Sequence, residues 1–493
     1  MTKLEEYINF FNKNDNEIYK NDIDNNHVYD WIKNEIPLFE CPDKEIEQTY
    51  YFRWWTYRKH IKRADSGYAI SEFLPDVPWG DAFNIINAPA GHHLAEGRWL
   101  RNGKKYLSHY IDLLLTEDGR VKTHKYSSWL IAAIKNCFDV IGYDMLDDSL
   151  LDKMVKYYET WESSHLLPNG MFWSVDDRDA MEYMISGTDE NLVMMKGIRP
   201  TLNSYLCADA YAISELAAKL GKTALANKYR DKGDSLSALI NERLWDGETY
   251  KAFHYYDDNY QTAFEPKHIP IEEIGYIPWM FNIPPKGRED VFNYLQNEKI
   301  FKAPTGITTA DMREKRFMFE AKHECLWNGY VWPFATSQTL TAFINVINYY
   351  GRSDFAESFI DLMHTYSASH TMILNDGRKI PWIDEVLHPF EQKWVAPIYI
   401  EQLGVQTVAG PKLRGKDYNH STFCDLVISG ICGVKCADGK LSVKPVISEK
   451  WDYFSLKGLY FNDAKYDIYF DRKGDVYNKG AGLKIYKNDV EFA

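Results

Sequence analysis

Apolar residues recur at intervals of three and four along most of the chain between Ile46 and Val434, which is the spacing of one face of an α-helix. The clearest stretches are 91–115, 127–142, 149–164, 204–221, 222–245, 334–351, 353–370 and 421–433. Very short turns join 204–221 to 222–245 and 334–351 to 353–370, a pattern typical of antiparallel helical hairpins. Long segments rich in tryptophan, proline and acidic residues lie between the pairs.

The pattern changes at both ends of the chain. Residues 1–45 are polar and rich in Asn and Asp, and they predict a helix and a loose lead-in. After residue 436, segments such as KLSVKP and KYDIYFDRKGD alternate apolar and polar residues between turn signals, which indicates β-hairpins. We therefore predict a mainly α chain: a helical lead-in at 1–45, an (α/α)6 toroid of helical hairpins at 46–436, and a small antiparallel β appendage at 437–493 packed on the toroid. A plain stack of helical repeats would show a fixed sequence period, which is not visible.

Composition and charge narrow the choice of partners. The chain of 493 residues has a net charge of −14 and no cluster of Lys and Arg, which argues against nucleic acid as a partner. No run of about 18 apolar residues occurs, so we predict no membrane-spanning segment. Aromatic residues make up 15% of the chain, with 15 Trp and 35 Tyr. Flat rings are what a sugar-binding cleft needs, although a large aromatic core would give the same composition.

The cysteines and the N-terminus bear on the compartment. The chain has seven cysteines, an odd number, and none of them forms a C-x-x-C pair or completes a zinc site. The N-terminal residues contain no apolar signal region. We predict reduced, buried thiols and a cytoplasmic location, although a processed form of a secreted protein would look the same.

One stretch, GMFWSVDDRDAMEYMISG at Gly170–Gly187, crowds acidic residues together. It holds Asp176, Asp177, Asp179 and Glu182, with Arg178 as the one opposite charge. Like charges and apolar neighbours raise the pKa of a carboxyl group, and glycoside hydrolysis needs one carboxyl that keeps its proton near neutral pH. Such clusters can also be solvated or bind Ca²⁺ or Mg²⁺, but VDDRDAME lacks the ligand spacing of an EF-hand loop. We predict no metal site.

Four further loop stretches, 73–93, 322–337, 380–394 and 416–423, place polar residues at helix ends, and the first three put acidic residues beside tryptophan. The candidate substrate-binding residues of all five stretches are Trp79, Asp81, His92, Asp176, Arg178, Glu324, Trp327, Asn328, Trp332, Trp382, His388, Asn419 and His420. His92 and His93 lack an HExxH context, so we expect them to be hydrogen-bonded near the mouth of the cleft rather than to bind metal.

Several of these segments resemble the six-hairpin glycosidases. WNGYVWPFATSQTL, WGDAF and IDEVLHP are similar to segments of glycoside hydrolase family 63 and the related mannosylglycerate-hydrolase-like domain. SVDDRDAMEY occupies the place of the segment that holds the general acid in that group. The resemblance runs from about Phe73 to the end of the chain.

The resemblance implies an inverting, exo-acting glycoside hydrolase for α-glucosides or α-mannosyl compounds, with a carbohydrate substrate and no cofactor. Asp179 aligns with the general acid, Asp177 is its rival, and Glu385 aligns with the general base. We expect Asp179, Glu324, Glu385 and His420 to line one cavity, and Asp179→Asn to preserve or increase stability by relieving repulsion.

Three alternatives remain open at this point. A sugar epimerase on the same toroid would use a histidine pair. A polysaccharide lyase would use Tyr or His in a more basic cleft. A non-catalytic carbohydrate-binding protein would tolerate the loss of either carboxylate.

Overall fold

The computed structural model describes residues 1–254, 269–403 and 411–492. Its α-helices, α1 to α13 in chain order, are Lys3–Lys13, Val28–Glu35, Lys44–Tyr57, Ala90–Gly97, Gly103–Leu115, Leu130–Ile141, Asp148–His165, Pro200–Lys219, Thr223–Arg243, Ile277–Met280, Pro333–Asn348, Ala356–Ser369 and Ala396–Leu403. Short 3₁₀ segments connect several of them, and a π-helix spans Leu426–Ile431. The prediction of a mainly helical chain is confirmed, whereas closure of the helices into a toroid stays a prediction.

The strands are short and lie mostly between helices or at the C-terminus. β1 to β16 in chain order are Leu38–Glu40, Ile61–Arg63, Tyr68–Ile70, Trp173–Ser174, Gly197–Ile198, Phe253–His254, Lys302–Ala303, Gly306–Ile307, Thr371–Ile373, Lys379–Pro381, Val434–Ala437, Lys440–Val443, Tyr453–Phe461, Ala464–Asp471, Gly482–Lys487 and Val490–Glu491. All the pairings among these strands are antiparallel.

The helical periodicity located most helices to within a few residues. The stretch 91–115 is divided into α4 and α5, because the polar turn around Asn102 and Gly103 interrupts it. The stretch 421–433 forms the π-helix rather than an α-helix. α3 has no polar face, since Ile46, Glu47 and all residues from Thr49 to Tyr57 are buried. A helix buried all round shows no amphipathic periodicity, and α3 is not among the helical stretches singled out from the sequence.

The predicted hairpins pack as pairs. α8 and α9 contact each other along their lengths, and α11 packs on α12. α3 also packs on α12, so the first long helix contacts one of the last. One continuous cluster of buried apolar side chains joins these helices. The long loops between helices therefore stand on a rigid helical body.

The C-terminal strands form an antiparallel sheet that includes a strand from the N-terminal segment. Its order is β1-β13-β14-β15-β16, and Leu38 of β1 pairs with Lys457 of β13. β11 and β12 pair separately as a hairpin. The lead-in and the β appendage are thus joined by main-chain hydrogen bonds, while the division into three domains stays a prediction.

A second contact ties the lead-in to the loop that precedes the π-helix. Asp15 forms ion pairs with Lys59, at 2.6 Å, and with Lys416. Lys59 also pairs with Asp417 at 2.8 Å. The Asp15, Lys59 and Asp417 side chains are at most 3% exposed. Buried charges this well paired hold the 414–420 loop against the helical body.

Candidate active site

Loops from distant parts of the chain enclose a cavity of about 180 Å³. Its lining residues are Glu72, Phe73, Trp79, Ile86, Ala88, Tyr126, Ala180, Glu182, His323, Glu324, Cys325, Trp332, Phe334, Glu385, Arg414, Tyr418 and His420. All of the loop stretches singled out from the sequence contribute to it. The structure thus brings Glu324, Glu385 and His420 together, and it leaves Asp179 outside the lining.

Hydrogen bonds join these loops to one another at the cavity. The backbone N–H of Trp327 donates to the backbone carbonyl of Glu182 at 3.0 Å. The Cys325 thiol donates to Oε2 of Glu385 at 3.3 Å. Because each loop is fixed to its neighbour, the carboxyl groups are held in place before any ligand binds.

Glu385 lies in a buried ion pair with Arg414. Nε of Arg414 donates to Oε1 of Glu385 at 2.6 Å, and Nη2 donates to Oε2 at 3.0 Å. Nη1 of the same guanidinium donates to Oε1 of Glu324 at 3.1 Å. Burial alone would raise the pKa of Glu324, but the charges of His323 and Arg414 lower it. The positive charge of Arg414 therefore compensates the charges of both carboxylates, and its bidentate hydrogen bonds orient Glu385.

The loop around Glu385 needs a residue without a side chain at position 415. A Cβ on Gly415 would lie 2.0 Å from Oδ1 of Asp384 and 3.1 Å from Cγ of Glu385. That oxygen of Asp384 accepts the backbone N–H of Glu385 at 2.8 Å. Burial, together with the charge of Glu385, raises the pKa of Asp384 to about 7. Gly415 thus allows the 411–420 loop to approach the carboxyl groups closely.

Glu182 is the carboxyl group of the acidic stretch that faces the cavity. Ala180, two residues before Glu182, and Tyr183, directly after it, adopt left-handed backbone conformations with φ of 56° and 62°. Such conformations are costly for non-glycine residues and persist where the surroundings impose them. Burial raises the pKa of Glu182 well above its ordinary value, and the charges of Asp177, Asp176 and Glu385 raise it further. The surroundings of Glu182 therefore favour the protonated form of its carboxyl group.

Aromatic rings form the wall of the cavity. Trp79 meets Phe73 edge to face at 5.8 Å between ring centroids. The guanidinium of Arg414 lies 4.8 Å from the Trp79 ring. Trp332 stacks on Trp327 at 4.3 Å, so Trp332 lines the cavity and Trp327 supports it from behind. An aromatic wall of this kind is suited to apolar contact with a sugar ring.

Asp179, predicted as the general acid, has a different environment. Its side chain is fully buried, and Nε of Arg199 donates to Oδ2 at 2.6 Å. The hydroxyl of Thr201 donates to the same oxygen, and those of Ser127 and Ser174 donate to Oδ1 at 2.7 and 3.2 Å. Both carboxylate oxygens of Asp179 accept hydrogen bonds from buried side chains, and Asp179 is not part of the cavity lining. Glu182 lines the cavity and Asp179 does not, while the role of Asp179 as general acid stays a prediction.

The other charged residues of the stretch also lie outside the lining. Asp176 is fully buried, accepts the backbone N–H groups of Asp177 and Met184, and has a pKa raised to about 6 by burial. Asp177, the rival candidate, is partly exposed, and Arg178 is exposed and donates to the Lys125 carbonyl at 3.2 Å. The crowding of acids is thus relieved by an ion pair at position 179 and by backbone donors at position 176, and the raised pKa of Glu182 favours its neutral form.

Seven other predicted binding residues are absent from the lining: Asp81, His92, Trp327, Asn328, Trp382, His388 and Asn419. Asn328 and Asn419 are buried, and their side-chain amides donate to backbone carbonyls at 2.7 and 3.2 Å. Asp81 accepts the backbone N–H of Lys122 at 2.7 Å. These polar groups are used to shape the loops rather than to face the cavity.

The remaining predicted residues support the cavity from outside. His92 lies edge to face against Phe334 at 4.6 Å and lines a separate cavity of about 100 Å³. Trp382 donates through Nε1 to Oδ2 of Asp384 at 3.3 Å. His388 is partly exposed, and burial lowers its pKa.

Six polar residues of the lining were not predicted from the sequence: Glu72, Tyr126, His323, Cys325, Arg414 and Tyr418. All of them except Tyr126 lie within or a few residues from a stretch that was singled out, at 73–93, 322–337 or 416–423. The one available signal was position, because Arg414 belongs to the same loop as His420. Among residues 1–254, 269–403 and 411–492, no cluster of His, Cys, Asp and Glu has the arrangement of a metal site. Every helix in those ranges is too short or too polar to cross a bilayer.

The family relationship is decided by a match over residues 82–421, which corresponds to the mannosylglycerate hydrolase MGH1-like glycoside hydrolase domain. The chain belongs to this family. The matched region is more than half of the chain and contains Glu182 and Glu385, whereas Glu72 lies outside it. The resemblance read from the sequence motifs is confirmed.

Solved structures extend the comparison to the whole chain. A protein described as a sialidase is 33% identical over 99% of this chain, with a TM-score of 0.86. The α-L-rhamnosidase of Streptomyces avermitilis, complexed with L-rhamnose, is 9% identical over 92% of this chain, with a TM-score of 0.55. The GH78 family rhamnosidase of Bacillus sp. GL1 is 12% identical over 88%, with a TM-score of 0.53. These two rhamnosidases are similar in fold alone.

This chain spans less than half of each of these structures: 44% of the sialidase and 38% and 40% of the two rhamnosidases.

Proposed function

We propose that this member of the glycoside hydrolase family hydrolyses a neutral glycoside with inversion, with Glu182 as general acid and Glu385 as general base. The observation that supports this is that one aromatic-walled cavity contains both carboxyl groups, with opposite environments. Glu182 is driven to its protonated form by burial, whereas Glu385 is ion-paired with Arg414. Two carboxyl groups held in different protonation states are what acid–base glycoside hydrolysis requires.

In the proposed reaction Glu182 donates its proton to the glycosidic oxygen as the bond to the leaving group breaks. A water molecule attacks the anomeric carbon from the opposite face, and Glu385 accepts the proton of that water. The hydroxyl group of the water becomes the new anomeric substituent, so the configuration is inverted. Inverting pairs are separated by roughly 6.5–9.5 Å to leave room for the water.

Cavity size favours action on a terminal sugar. The volume of about 180 Å³ is small beside the roughly 300–1,000 Å³ of typical ligand pockets. A single ring bound at the closed end, with the remainder of the substrate outside, corresponds to exo-action. The helical hairpins would close into the (α/α)6 toroid around this end, with a cytoplasmic location as predicted from the sequence.

The charges of the lining favour a neutral sugar. Four carboxyl groups, Glu72, Glu182, Glu324 and Glu385, line the cavity, and Arg414 is already paired with the last two. A sugar carboxylate would have to compete with Glu324 and Glu385 for the guanidinium of Arg414, which is already paired with both. This argues against a sialic acid in this cavity. The protein described as a sialidase is longer, and this chain spans 44% of it. The competition for Arg414 argues equally against the uronate substrate of a lyase.

A histidine-based epimerase has less support. His420 lines the cavity, but His92 faces a separate one. Burial lowers the pKa of both well below the ordinary value, so both are held neutral. His420 and His92 thus face different cavities and do not provide an acid and a base for one substrate. Nδ1 of His323, the other histidine of the lining, is hydrogen-bonded to the backbone of Cys325.

The proposal is tested by a screen of purified protein against p-nitrophenyl α-glucoside, α-mannoside and α-L-rhamnoside, with p-nitrophenyl sialoside as the charged comparison. We expect hydrolysis of a neutral glycoside, with the inverted anomer as the first product seen by proton NMR, and no hydrolysis of the sialoside. On these substrates Glu385→Gln should lower kcat by about 10²–10⁴-fold, and Glu182→Gln should lower it less, because p-nitrophenolate leaves readily without a proton. Sialoside hydrolysis alone, or a retained anomer, would overturn it.

A further inference from the structure

A third carboxyl group lines the cavity outside the proposed acid–base pair. Glu72 follows β3, and its backbone carbonyl accepts the N–H of Asn419 at 3.1 Å. Its side chain is buried and belongs to the same lining as Glu182 and Glu385. A buried carboxyl group is costly unless each oxygen has a partner, so the contacts of both oxygens matter.

The two oxygens of Glu72 differ in their contacts. The Tyr418 hydroxyl donates to Oε1, and Nδ1 of His420 lies 3.6 Å from the same oxygen. No hydrogen bond among the described residues reaches Oε2. Tyr418 is itself held by stacking on Phe73, with ring centroids 4.8 Å apart. The carboxyl group is thus anchored at one oxygen and open at the other.

We propose that Glu72 is a specificity-determining residue that binds one hydroxyl group of the sugar through Oε2. This inference rests on the proposed function, because it requires a sugar in the cavity. Phe73 and Trp79 line the same cavity as Glu72, and apolar contact with aromatic rings does not distinguish one pyranose from another. Selection among sugars then comes from the few polar groups that fix the positions of hydroxyls.

The protonation of Glu72 sets the direction of this hydrogen bond. Burial raises its pKa to about 8, opposed by the hydrogen bond from Tyr418, and the charge of Glu385 adds to the rise. The titratable and charged groups that act on Glu72 or respond to its charge are Tyr110, Lys125, Tyr126, Glu385, Arg414, Tyr418 and His420. At neutral pH the proton lies on Oε2, since Oε1 accepts from Tyr418, so Glu72 donates to a sugar oxygen. Above about pH 8 it becomes an acceptor and adds a negative charge beside Glu385.

Sugar binding tests this inference separately from hydrolysis. The dissociation constants of D-glucose, D-mannose and L-rhamnose, and of the monodeoxy forms of the tightest of them, are measured by calorimetry at pH 6.5 and 9. We expect Glu72→Ala to weaken the tightest sugar about tenfold and Glu72→Gln to weaken it about threefold or less, because the amide still donates. One monodeoxy sugar should bind the wild type about tenfold more weakly than the parent sugar does, and it should bind Glu72→Ala as well as the parent sugar does. Wild-type affinity should fall from pH 6.5 to 9, whereas that of Glu72→Gln should not.

Two kinds of failure are distinguishable. If the wild type binds a sugar and Glu72→Ala binds it equally well, or if every deoxy sugar costs both proteins the same, the inference on Glu72 is wrong and the proposed function stands. If the wild type binds none of the sugars at either pH, the proposed function itself is contradicted and the inference falls with it. Should Glu72→Ala fail to fold, the pH comparison between wild type and Glu72→Gln decides, and an equal loss in both refutes the inference.

Discussion

Replacing Asp179 by Asn should destabilise the protein strongly, the reverse of the expectation drawn from the crowded acids. The Asp179 and Arg199 side chains are 0% and 1% exposed, and Arg199 donates to Oδ2 at 2.6 Å. Asparagine can still accept from Ser127 and Ser174 through Oδ1, but its amide nitrogen would face the donors of Arg199 and Thr201. The variant leaves a buried guanidinium without its counter-charge.

The size of the effect follows from the burial of the pair. Removing one partner of a buried ion pair costs about 3–5 kcal/mol. With an unfolding entropy of about 2.1 cal/mol/K per residue over 493 residues, this corresponds to a fall in Tm of roughly 3–5 °C. Arg199 and Thr201 lie at the start of α8, so the loss should loosen the acidic stretch from that helix.

Thermal unfolding of Asp179→Asn, followed by circular dichroism at pH 7, measures this directly. Asp177→Asn is the matched control, since Asp177 is partly exposed and should change stability by at most about 0.5 kcal/mol. Glu182→Gln should also leave Tm nearly unchanged, because the raised pKa of Glu182 favours its neutral form, which the amide resembles. An Asp179→Asn variant as stable as the wild type, yet inactive on substrates with poor leaving groups, would refute the reasoning and restore Asp179 as the acid.

Three further outcomes are expected. Glu273 is buried, and its pKa is raised well above the ordinary glutamate value. Its contribution to stability is therefore full below about pH 4.5 and is lost as the pH rises through the raised pKa. In urea unfolding from pH 5 to 9, the free energy of unfolding should fall more steeply for the wild type than for Glu273→Gln. Asp15→Asn should lower the free energy of unfolding by about 3–5 kcal/mol, because it leaves Lys59 and Lys416 with one carboxylate fewer. It should also expose residues 14–27 to protease, and protection equal to that of the wild type would contradict this. All seven cysteines are unpaired, so a thiol titration of denatured, unreduced protein should find seven, and Cys325, which lines the cavity, should be the first to react in the folded protein.

The local pattern of apolar and polar residues was sufficient to predict most of the helices and the C-terminal strands. Segments such as α7 and α9 bury one face and expose the other, so their periodicity appears in the sequence. α3 was missed because it is buried on all sides. The pairing of β1 with β13 joins residues more than 400 positions apart, and nothing in either segment alone specifies its partner.

The loops that form the candidate site were predictable from the sequence, but the side chains that face the cavity were not. Stretches in which acids and tryptophans adjoin helix ends do enclose the cavity, and Glu385 lines it. Which carboxyl of the acidic stretch faces inward depends on a 3₁₀ turn at Asp176–Asp179 and on left-handed residues at positions 180 and 183. Those conformations are imposed by contacts with α8 and with the loop at Trp327, so spacing within the stretch cannot reveal them. Arg414 was missed for the same reason, since its partners lie 29 and 90 residues away.

The central claim is that Glu182 supplies the proton to the leaving group, and a leaving-group series tests it most directly. Rates of wild type, Glu182→Gln and Asp179→Asn are measured on aryl glycosides of one neutral sugar whose phenols span a wide range of pKa, at a temperature where each variant is folded. The account predicts that Glu182→Gln loses about 10²–10⁴-fold on poor leaving groups and progressively less as the phenol becomes more acidic, while Asp179→Asn follows the shallow dependence of the wild type. A wild-type dependence in Glu182→Gln, with the steep dependence in Asp179→Asn, would contradict it.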